Sequence, residues 1–191
     1  MLDRTADEPS DLAALEAVAA GDREAFTLLV TRHAASVRRL AGALTSDEAT
    51  ADDVTQEVFL SVWRGARGFR NEGSVRGWLL TITRNAARRS ARRRVGEPAQ
   101  TEELGGLAMC AGWGGVRPEP GFLRTLESRE LLSAALTRLA AADREVLTLV
   151  DLEGMSLRES ATMLELDVAA LKSRLHRARL RLLAAAKEVS K

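Results

Sequence analysis

The sequence predicts an all-α protein made of two small helical domains joined by a flexible linker. Apolar residues recur at i, i+3 and i+4 through nearly every patterned segment, and no alternating, strand-like run interrupts them. Residues 95–120 hold three of the four prolines and six of the fourteen glycines, a density of helix breakers typical of a linker. We therefore predict domains at 10–94 and 122–188, a linker at 95–121, and no internal repeat.

The helices of the first domain are predicted from their apolar stripes and caps. Thr45 and Glu48 have the spacing of a capping box, with Thr45 as the N-cap of the second patterned segment, and Ser74 is placed to cap the third. The residues that we expect on buried faces are, in chain order, Phe26, Leu29, Val30, His33, Val37, Leu40, Ala41, Leu44, Val54, Val58, Leu60, Val62, Trp63, Val75, Trp78, Leu79 and Ile82.

The second domain has the pattern of a helix-turn-helix. A short amphipathic helix at 143–152 stops near Gly154, and Ser156 and Glu159 form a second capping box. A tight turn is expected around Glu165, followed by Asp167 as the N-cap of a longer helix. The residues expected to point inward from that helix are Leu171, Leu175, Ala178 and Leu182.

Two arginine-rich helices dominate the charge pattern, although the net charge is only +1. Residues 83–94 carry six arginines and no acid, and residues 172–181 form a second basic run. Acids gather instead at 47–57. Basic helix faces are usually only solvated, but a basic second helix in a helix-turn-helix is suited to the major groove and its phosphates. The separation of charge indicates different partners for different faces.

The stretch from Asp143 to Arg181 resembles region 4 of bacterial sigma factors of the extracytoplasmic-function group, which reads the promoter "−35" element. The resemblance implies that the helix-turn-helix at 156–182 contacts DNA. Ala170 stands where many relatives have threonine, so details of promoter recognition do not transfer. The implied DNA contacts are Ala169, Lys172, Ser173, Arg174, Arg177 and Arg179.

The segment from Asp52 to Trp63 resembles region 2.2 of the same family, which docks on the clamp helices of the polymerase β′ subunit. Asp53, Gln56 and Glu57 lie at i, i+3 and i+4 and so share one helix face, which suits a basic partner. An acidic helix face is by itself more often only solvated. The resemblance implies that Asp52, Asp53, Gln56 and Glu57 bind core polymerase.

The segment from Gly68 to Arg94 resembles regions 2.3 and 2.4, which open the "−10" element and hold one strand. Short polar side chains suit the edge of an extruded base, and Phe69 offers a stacking surface. Arg93 and Arg94 are expected on phosphates, whereas Trp78 is expected in the core. The implied "−10" contacts are Phe69, Arg70, Asn71, Glu72, Ser74, Arg84, Asn85, Arg88, Arg89 and Arg92.

These resemblances imply a sigma factor that partners core polymerase (β′ clamp helices and β flap), promoter DNA and an anti-sigma protein. We expect no enzyme, cofactor or metal, because two histidines and one cysteine complete no catalytic or metal set. Absence of a long apolar run or signal peptide, and a single cysteine, indicate a cytoplasmic protein without membrane insertion. The alternatives are an ordinary helix-turn-helix regulator with a sensing or dimerising first domain and, less well supported, a basic membrane adaptor.

Overall fold

The structure, a computed structural model, describes residues 10–71, 73–95 and 129–189, and these are helical with no strand among them. None of the helices in these ranges is long and apolar enough to cross a membrane. The all-α prediction is confirmed. The elements are α1 (Asp11–Ala19), α2 (Arg23–Leu44), α3 (Glu48–Gly65), a 3₁₀ turn (Ala66–Gly68), α4 (Val75–Val95), α5 (Arg129–Thr137), α6 (Ala141–Leu147), a π turn (Thr148–Leu152), α7 (Leu157–Leu164) and α8 (Val168–Val189).

The N-cap of α3 differs from the prediction. Asp47, not Thr45, caps this helix, because its carboxylate accepts hydrogen bonds from the Thr50 backbone N–H and from the Thr50 hydroxyl, both at 2.8 Å. The Thr45 hydroxyl instead donates to the Ala41 carbonyl at the end of α2, at 2.9 Å. The predicted cap of α4 is confirmed, since Ser74 Oγ accepts from the Gly77 N–H at 3.0 Å.

Helices α1 to α4 form the first unit, residues 10–95, and α2, α3 and α4 pack against one another. Most of the predicted inward residues lie in its core, but Leu60 does not: it is 53% exposed. Val54, Val58 and Val62 repeat every four residues, whereas Leu60 lies about 200° around the helix from Val58 and faces away from the core. The prediction for Leu60 was therefore wrong.

Helices α5 to α8 form the second unit, residues 129–189, with α5, α6 and α7 packed on α8. The predicted capping box is present: the Glu159 N–H donates to Ser156 Oγ, and the Ser156 N–H donates to the Glu159 carboxylate. Glu165 adopts the left-handed conformation, φ 58°, which makes the tight turn. Asp167 then caps α8 by accepting from the Ala170 N–H at 2.7 Å. The four inward residues predicted for α8 are all buried.

The two units pack against each other. Leu40 of α2 and Leu80 of α4 are fully buried and belong to the hydrophobic core of the second unit. Helix α2 contacts α6 and the π turn. The Arg144 guanidinium of α6 donates to the Ala43 carbonyl at 2.9 Å and to the Leu139 carbonyl at 2.6 Å, which ties α6 to the end of α2. The predicted linker lies outside the described residues apart from Val95, which ends α4.

Candidate protein and nucleic-acid interfaces

The acidic face predicted on α3 lies at the surface. Asp52, Asp53 and Gln56 are exposed, while Val54 and Val58 on the other side of the helix are buried. Asp52 accepts a hydrogen bond from Arg38 Nε of α2 at 2.8 Å. This hydrogen bond, followed by the negative charge of the same carboxylate, raises the pKa of Arg38. The face therefore combines exposed carboxylate and amide groups on a rigid helix.

Glu57 joins this face to the basic helix α4. Its carboxylate accepts hydrogen bonds from Arg89 Nη2 at 3.1 Å and from Arg93 Nη2 at 3.0 Å, and it is only about one-third exposed. A predicted polymerase contact and two predicted DNA contacts are thus paired with one another. Any substitution of Glu57 consequently changes both surfaces.

The loop before α4 presents a mixture of exposed and packed groups. Arg70, Asn71 and Ser74 are exposed, and Asn71 has φ 53° in the left-handed region, which asparagine tolerates better than most residues. The Phe69 ring lies 5.3 Å from the ring centre of Trp78, and both pack at the edge of the first core. Trp78 is thus packed as predicted. Glu72 lies outside the described residues.

The arginines of α4 differ in their accessibility. Arg92 is exposed and Asn85 is half-buried, as is Arg89 beside Glu57. Arg84 is buried, with 5% of its side chain exposed, and its Nε donates to Glu145 of α6 at 2.8 Å. Arg88 remains partly exposed beside Glu165 at 3.6 Å. The structure therefore divides the predicted "−10" set between surface groups and groups that face the second unit.

Glu153 is a charged residue that sequence reasoning did not single out. It follows the π turn, is 1% exposed, and its carboxylate binds Arg39 of α2 at 2.7 Å and Arg76 of α4. A buried carboxylate requires such partners, because an unpaired charge in a protein interior is strongly unfavourable. Nothing in the local sequence indicates it: an acid beside Gly154 looks like an ordinary turn residue.

Helix α8 presents its first turns to solvent. Ala169, Lys172, Ser173 and Arg177 are exposed, and Arg174 is half-buried. Arg179 instead binds Asp151 of the π turn through two hydrogen bonds, Nε to Oδ2 at 3.0 Å and Nη2 to Oδ1 at 2.5 Å. The hydrogen bonding with Asp151 raises the pKa of Arg179, and partial burial opposes that shift. The start of α8 is therefore accessible to the groove of a nucleic acid, whereas the Arg179 side chain is bound within the second unit.

Three charged surfaces stand out among the described residues. They comprise a carboxylate face on α3, a cationic α4 and a cationic α8. Within residues 10–71, 73–95 and 129–189 there is no group of three or more histidine, cysteine or acidic side chains placed to hold a metal ion. Polyanions fit the cationic helices, and a basic protein surface fits α3.

Comparison with known families assigns both units. The family profile for Sigma-70 region 2 matches residues 29–97, and that for Sigma-70 region 4 matches residues 129–182. The chain is 35% identical over 175 residues to the ECF RNA polymerase sigma factor SigM of Mycobacterium tuberculosis, covering 92% of this chain and 84% of that protein. It is 34% identical over 180 residues to the RNA polymerase sigma factor CnrH of Cupriavidus metallidurans, covering 92% and 93%.

Solved structures show the same architecture. The structure of CnrH in complex with the cytosolic domain of CnrY superimposes with a TM-score of 0.60 at 27% identity, covering 93% of this chain and 97% of that one. The sigma factor RpoE of Bartonella quintana, solved with the anti-sigma factor NepR, gives a TM-score of 0.62 at 24% identity over 85% and 96% of the chains, which supports the fold.

Proposed function

Because this chain belongs to the extracytoplasmic-function (ECF) group of the sigma-70 family and is an RNA polymerase sigma factor that directs transcription, we propose a role for each of its charged surfaces. Helix α3 attaches it to core polymerase, α4 and the loop before it engage the "−10" element, and α8 engages the "−35" element. The family consists of initiation factors rather than enzymes. The observation that carries the proposal is the exposed carboxylate face of α3, in a chain that also carries the cationic helices α4 and α8.

The polymerase contact is assigned to Asp52, Asp53, Gln56 and Glu57. The first three are exposed, and helix α3 holds them at fixed spacing on a core-packed support. Carboxylates of this kind attract a basic partner and fix its register. The partner proposed for this face is the pair of clamp helices of the β′ subunit, and the β flap is proposed to meet the second unit.

The polymerase contact is tested best without altering Glu57, since that residue also holds Arg89 and Arg93. The variant Asp53→Ala/Gln56→Ala should weaken core binding by roughly 10- to 100-fold, because a hydrogen bond to a charged group contributes about 1.5–3 kcal/mol. Glu24→Ala, an exposed carboxylate on α2, is the matched control. Fluorescence anisotropy of labelled chain titrated with core enzyme measures the dissociation constant. Equal binding by wild type and double variant would refute the assignment.

The "−10" contact is assigned to the loop and to α4. Asn71 and Ser74 are exposed polar groups suited to a base edge, and Arg70 lies next to them. On α4, Arg92 is exposed toward solvent and suits a phosphate. The roles of Phe69, Glu72, Arg84, Asn85, Arg88 and Arg89 are proposed on the resemblance to regions 2.3 and 2.4.

The "−35" contact is assigned to the start of α8. Ala169, Lys172, Ser173 and Arg177 are exposed there, and Arg174 is partly accessible. A second helix of this kind enters the major groove with its first turns. Arg179 is retained in the proposed set, although its guanidinium is bound to Asp151.

Core-dependent transcription tests the whole proposal and separates it from the alternative. Core polymerase is mixed with fragmented genomic DNA, with and without this protein, and the 5′ ends of transcripts are sequenced. New start sites should appear only when both proteins are present. Tight binding to duplex DNA without core, together with no new start sites, would instead favour an ordinary helix-turn-helix regulator.

An anti-sigma protein is the further partner that we propose. CnrH, a relative with 34% identity, was solved with the cytosolic domain of CnrY, so a relative of this chain binds a second protein. Such a partner, in the cytoplasm with the polymerase, would make the sigma factor respond to a stress or envelope signal. Affinity purification of the tagged chain should recover both core polymerase and the anti-sigma protein.

A further inference from the structure

Leu60 is an apolar side chain of α3 that faces solvent. It is 53% exposed, and among the first-unit residues whose side chains the structure describes it is the one large apolar group that is exposed. A single exposed leucine needs no explanation by itself, because much of any protein surface is apolar. Leu60 is distinguished by its position relative to the charged groups of the same helix.

Leu60 lies in line with residues that are assigned to core polymerase. At about 100° per residue it is about 20° around the helix from Asp53 and about 40° from Gln56, and both of these are exposed. One turn beyond Leu60, the exposed Arg64 lies on the same side of the helix. Glu57 borders this line on the side of α4, where it binds two arginines. We refer to Asp53, Gln56, Glu57, Leu60 and Arg64 as the outer face of α3.

The neighbours of Leu60 in the chain hold it outward. Phe59 and Val62 are buried in the core of the first unit. The Trp63 ring packs edge-on against Phe26, with the ring centres 5.2 Å apart. Turning α3 to bury Leu60 would expose these side chains. Leu60 is therefore presented on a rigid helix, so that its part of the contact needs little ordering when a partner binds.

The apolar and polar groups of the outer face contribute differently to an association. Apolar surface that remains in water in the free chain provides free energy when a partner covers it. Carboxylate and amide groups exchange hydrogen bonds with water for hydrogen bonds with the partner, so they fix register and specificity more than they add affinity. Protein interfaces usually combine an apolar centre with a polar rim. The outer face of α3 has this composition, with Leu60 as its apolar group.

The charges around Leu60 select the kind of partner. On its N-terminal side lie the exposed Asp53 and Gln56, and on its C-terminal side lies the exposed Arg64. A complementary surface presents basic groups, then an apolar side chain, then an acidic or neutral group, in that order along one line. Nucleic acid does not fit, because its phosphates would be repelled by the Asp53 carboxylate. The occupant is therefore a protein element.

We propose that Leu60 is the apolar centre of the contact with core polymerase, and that it packs against an apolar side chain of the β′ clamp helices beside their basic groups. This inference rests on the proposed attachment of α3 to core polymerase. It adds a residue whose contribution to binding is apolar, and it gives the direction in which the partner's charges run along α3.

Binding to a β′ fragment that carries the clamp helices tests the role of Leu60. Fluorescence anisotropy of the labelled full-length chain measures the dissociation constant at low and at high salt. Leu60→Ala should weaken binding roughly tenfold, equivalent to about 1.4 kcal/mol. The factor should be the same at both salt concentrations, because apolar burial is not screened, whereas the loss in Asp53→Ala/Gln56→Ala should shrink at high salt. Equal binding by Leu60→Ala and wild type overturns the proposal.

Two control variants separate an interface role from a general effect of the substitution. Leu180→Ala removes a leucine of nearly equal exposure, 54%, from α8 of the second unit and should bind the fragment as wild type does. Leu60→Met keeps an apolar side chain of similar volume and should retain most of the affinity. Thermal unfolding of Leu60→Ala should match that of wild type. A loss of stability that accompanies the loss of binding would overturn the proposal, because Leu60 would then act through the fold.

The remaining outcomes distinguish this inference from the proposed function. If Asp53→Ala/Gln56→Ala weakens binding and Leu60→Ala does not, α3 still attaches the chain to polymerase and only the role of Leu60 is overturned. Failure of the proposed function would appear instead as wild-type chain that binds neither the fragment nor core enzyme. Sedimentation of the chain alone tests the other occupant: a dimer that Leu60→Ala dissociates would assign the outer face to a second copy and overturn the proposal.

Discussion

Arg179 offers the sharpest test of how the second unit is held together. Its side chain on α8 binds Asp151 of the π turn through two hydrogen bonds, and the Asp151 side chain is 5% exposed against 27% for Arg179. The pair joins the element before the helix-turn-helix to the middle of its second helix. In Arg179→Ala the Asp151 carboxylate would stay mostly buried without this guanidinium.

The loss of stability expected for Arg179→Ala follows from the burial of its ion pair with Asp151. Exposed ion pairs contribute about 0–1 kcal/mol, whereas removing one partner of a fully buried pair costs about 3–5 kcal/mol. Because Arg179 is partly exposed, we expect Arg179→Ala to lower the free energy of unfolding by about 2–3 kcal/mol. For a protein of this size that corresponds to a drop in Tm of roughly 5–10 °C.

Urea unfolding, followed by tryptophan fluorescence and by circular dichroism, shows which unit Arg179→Ala destabilises. The measurement is made in a Trp113→Phe background, so that the remaining tryptophans, Trp63 and Trp78, both lie in the first unit and their fluorescence reports that unit. Far-UV circular dichroism reports the helices of both. In Arg179→Ala the dichroism transition should shift to lower urea further than the fluorescence transition.

Two further variants separate a structural role of Arg179 from a role in DNA binding. Arg177→Ala, an exposed arginine on the same helix, should change stability by less than about 0.5 kcal/mol. Asp151→Leu/Arg179→Met should recover most of the loss, because an apolar pair has no charge to compensate. If Arg179→Ala is as stable as Arg177→Ala and loses only DNA affinity, Arg179 is a DNA contact and the structural reasoning is wrong.

Three other predictions follow from single residues. Ser156→Ala removes the capping box of α7 and should destabilise the chain by about 1 kcal/mol in thermal unfolding, whereas Ala at the exposed position Ser133 of α5 should be neutral. Leu60→Ala should cost less than about 0.5 kcal/mol, against about 2–5 kcal/mol for fully buried Leu29→Ala; equal losses would contradict the observed exposure of Leu60. Lys172→Ala should reduce the slope of log binding constant against log salt by about 1 for duplex DNA, and an unchanged slope would exclude a phosphate contact.

Features governed by near neighbours in the chain were predictable. The capping box at Ser156, the turn at Glu165 and the four inward residues of α8 depend on spacings of three or four residues, and all are confirmed. The incorrect prediction of the N-cap of α3 also has a local explanation. Thr45 and Asp47 were competing caps two residues apart, and a carboxylate that accepts two bonds from Thr50 prevails over a hydroxyl that can bond back to its own helix.

The sequence by itself determined the helical class, the helix-turn-helix and the family, because periodicity, caps and motif order are properties of short segments. The tertiary structure decided which charges are available. It paired Glu57 with Arg89 and Arg93, and it buried Arg84 and Glu153 between the units. The physical reason is that the cost of burying a charge depends on which distant partner meets it, as Arg39 meets Glu153 across 114 residues. No local sequence pattern predicts such a contact.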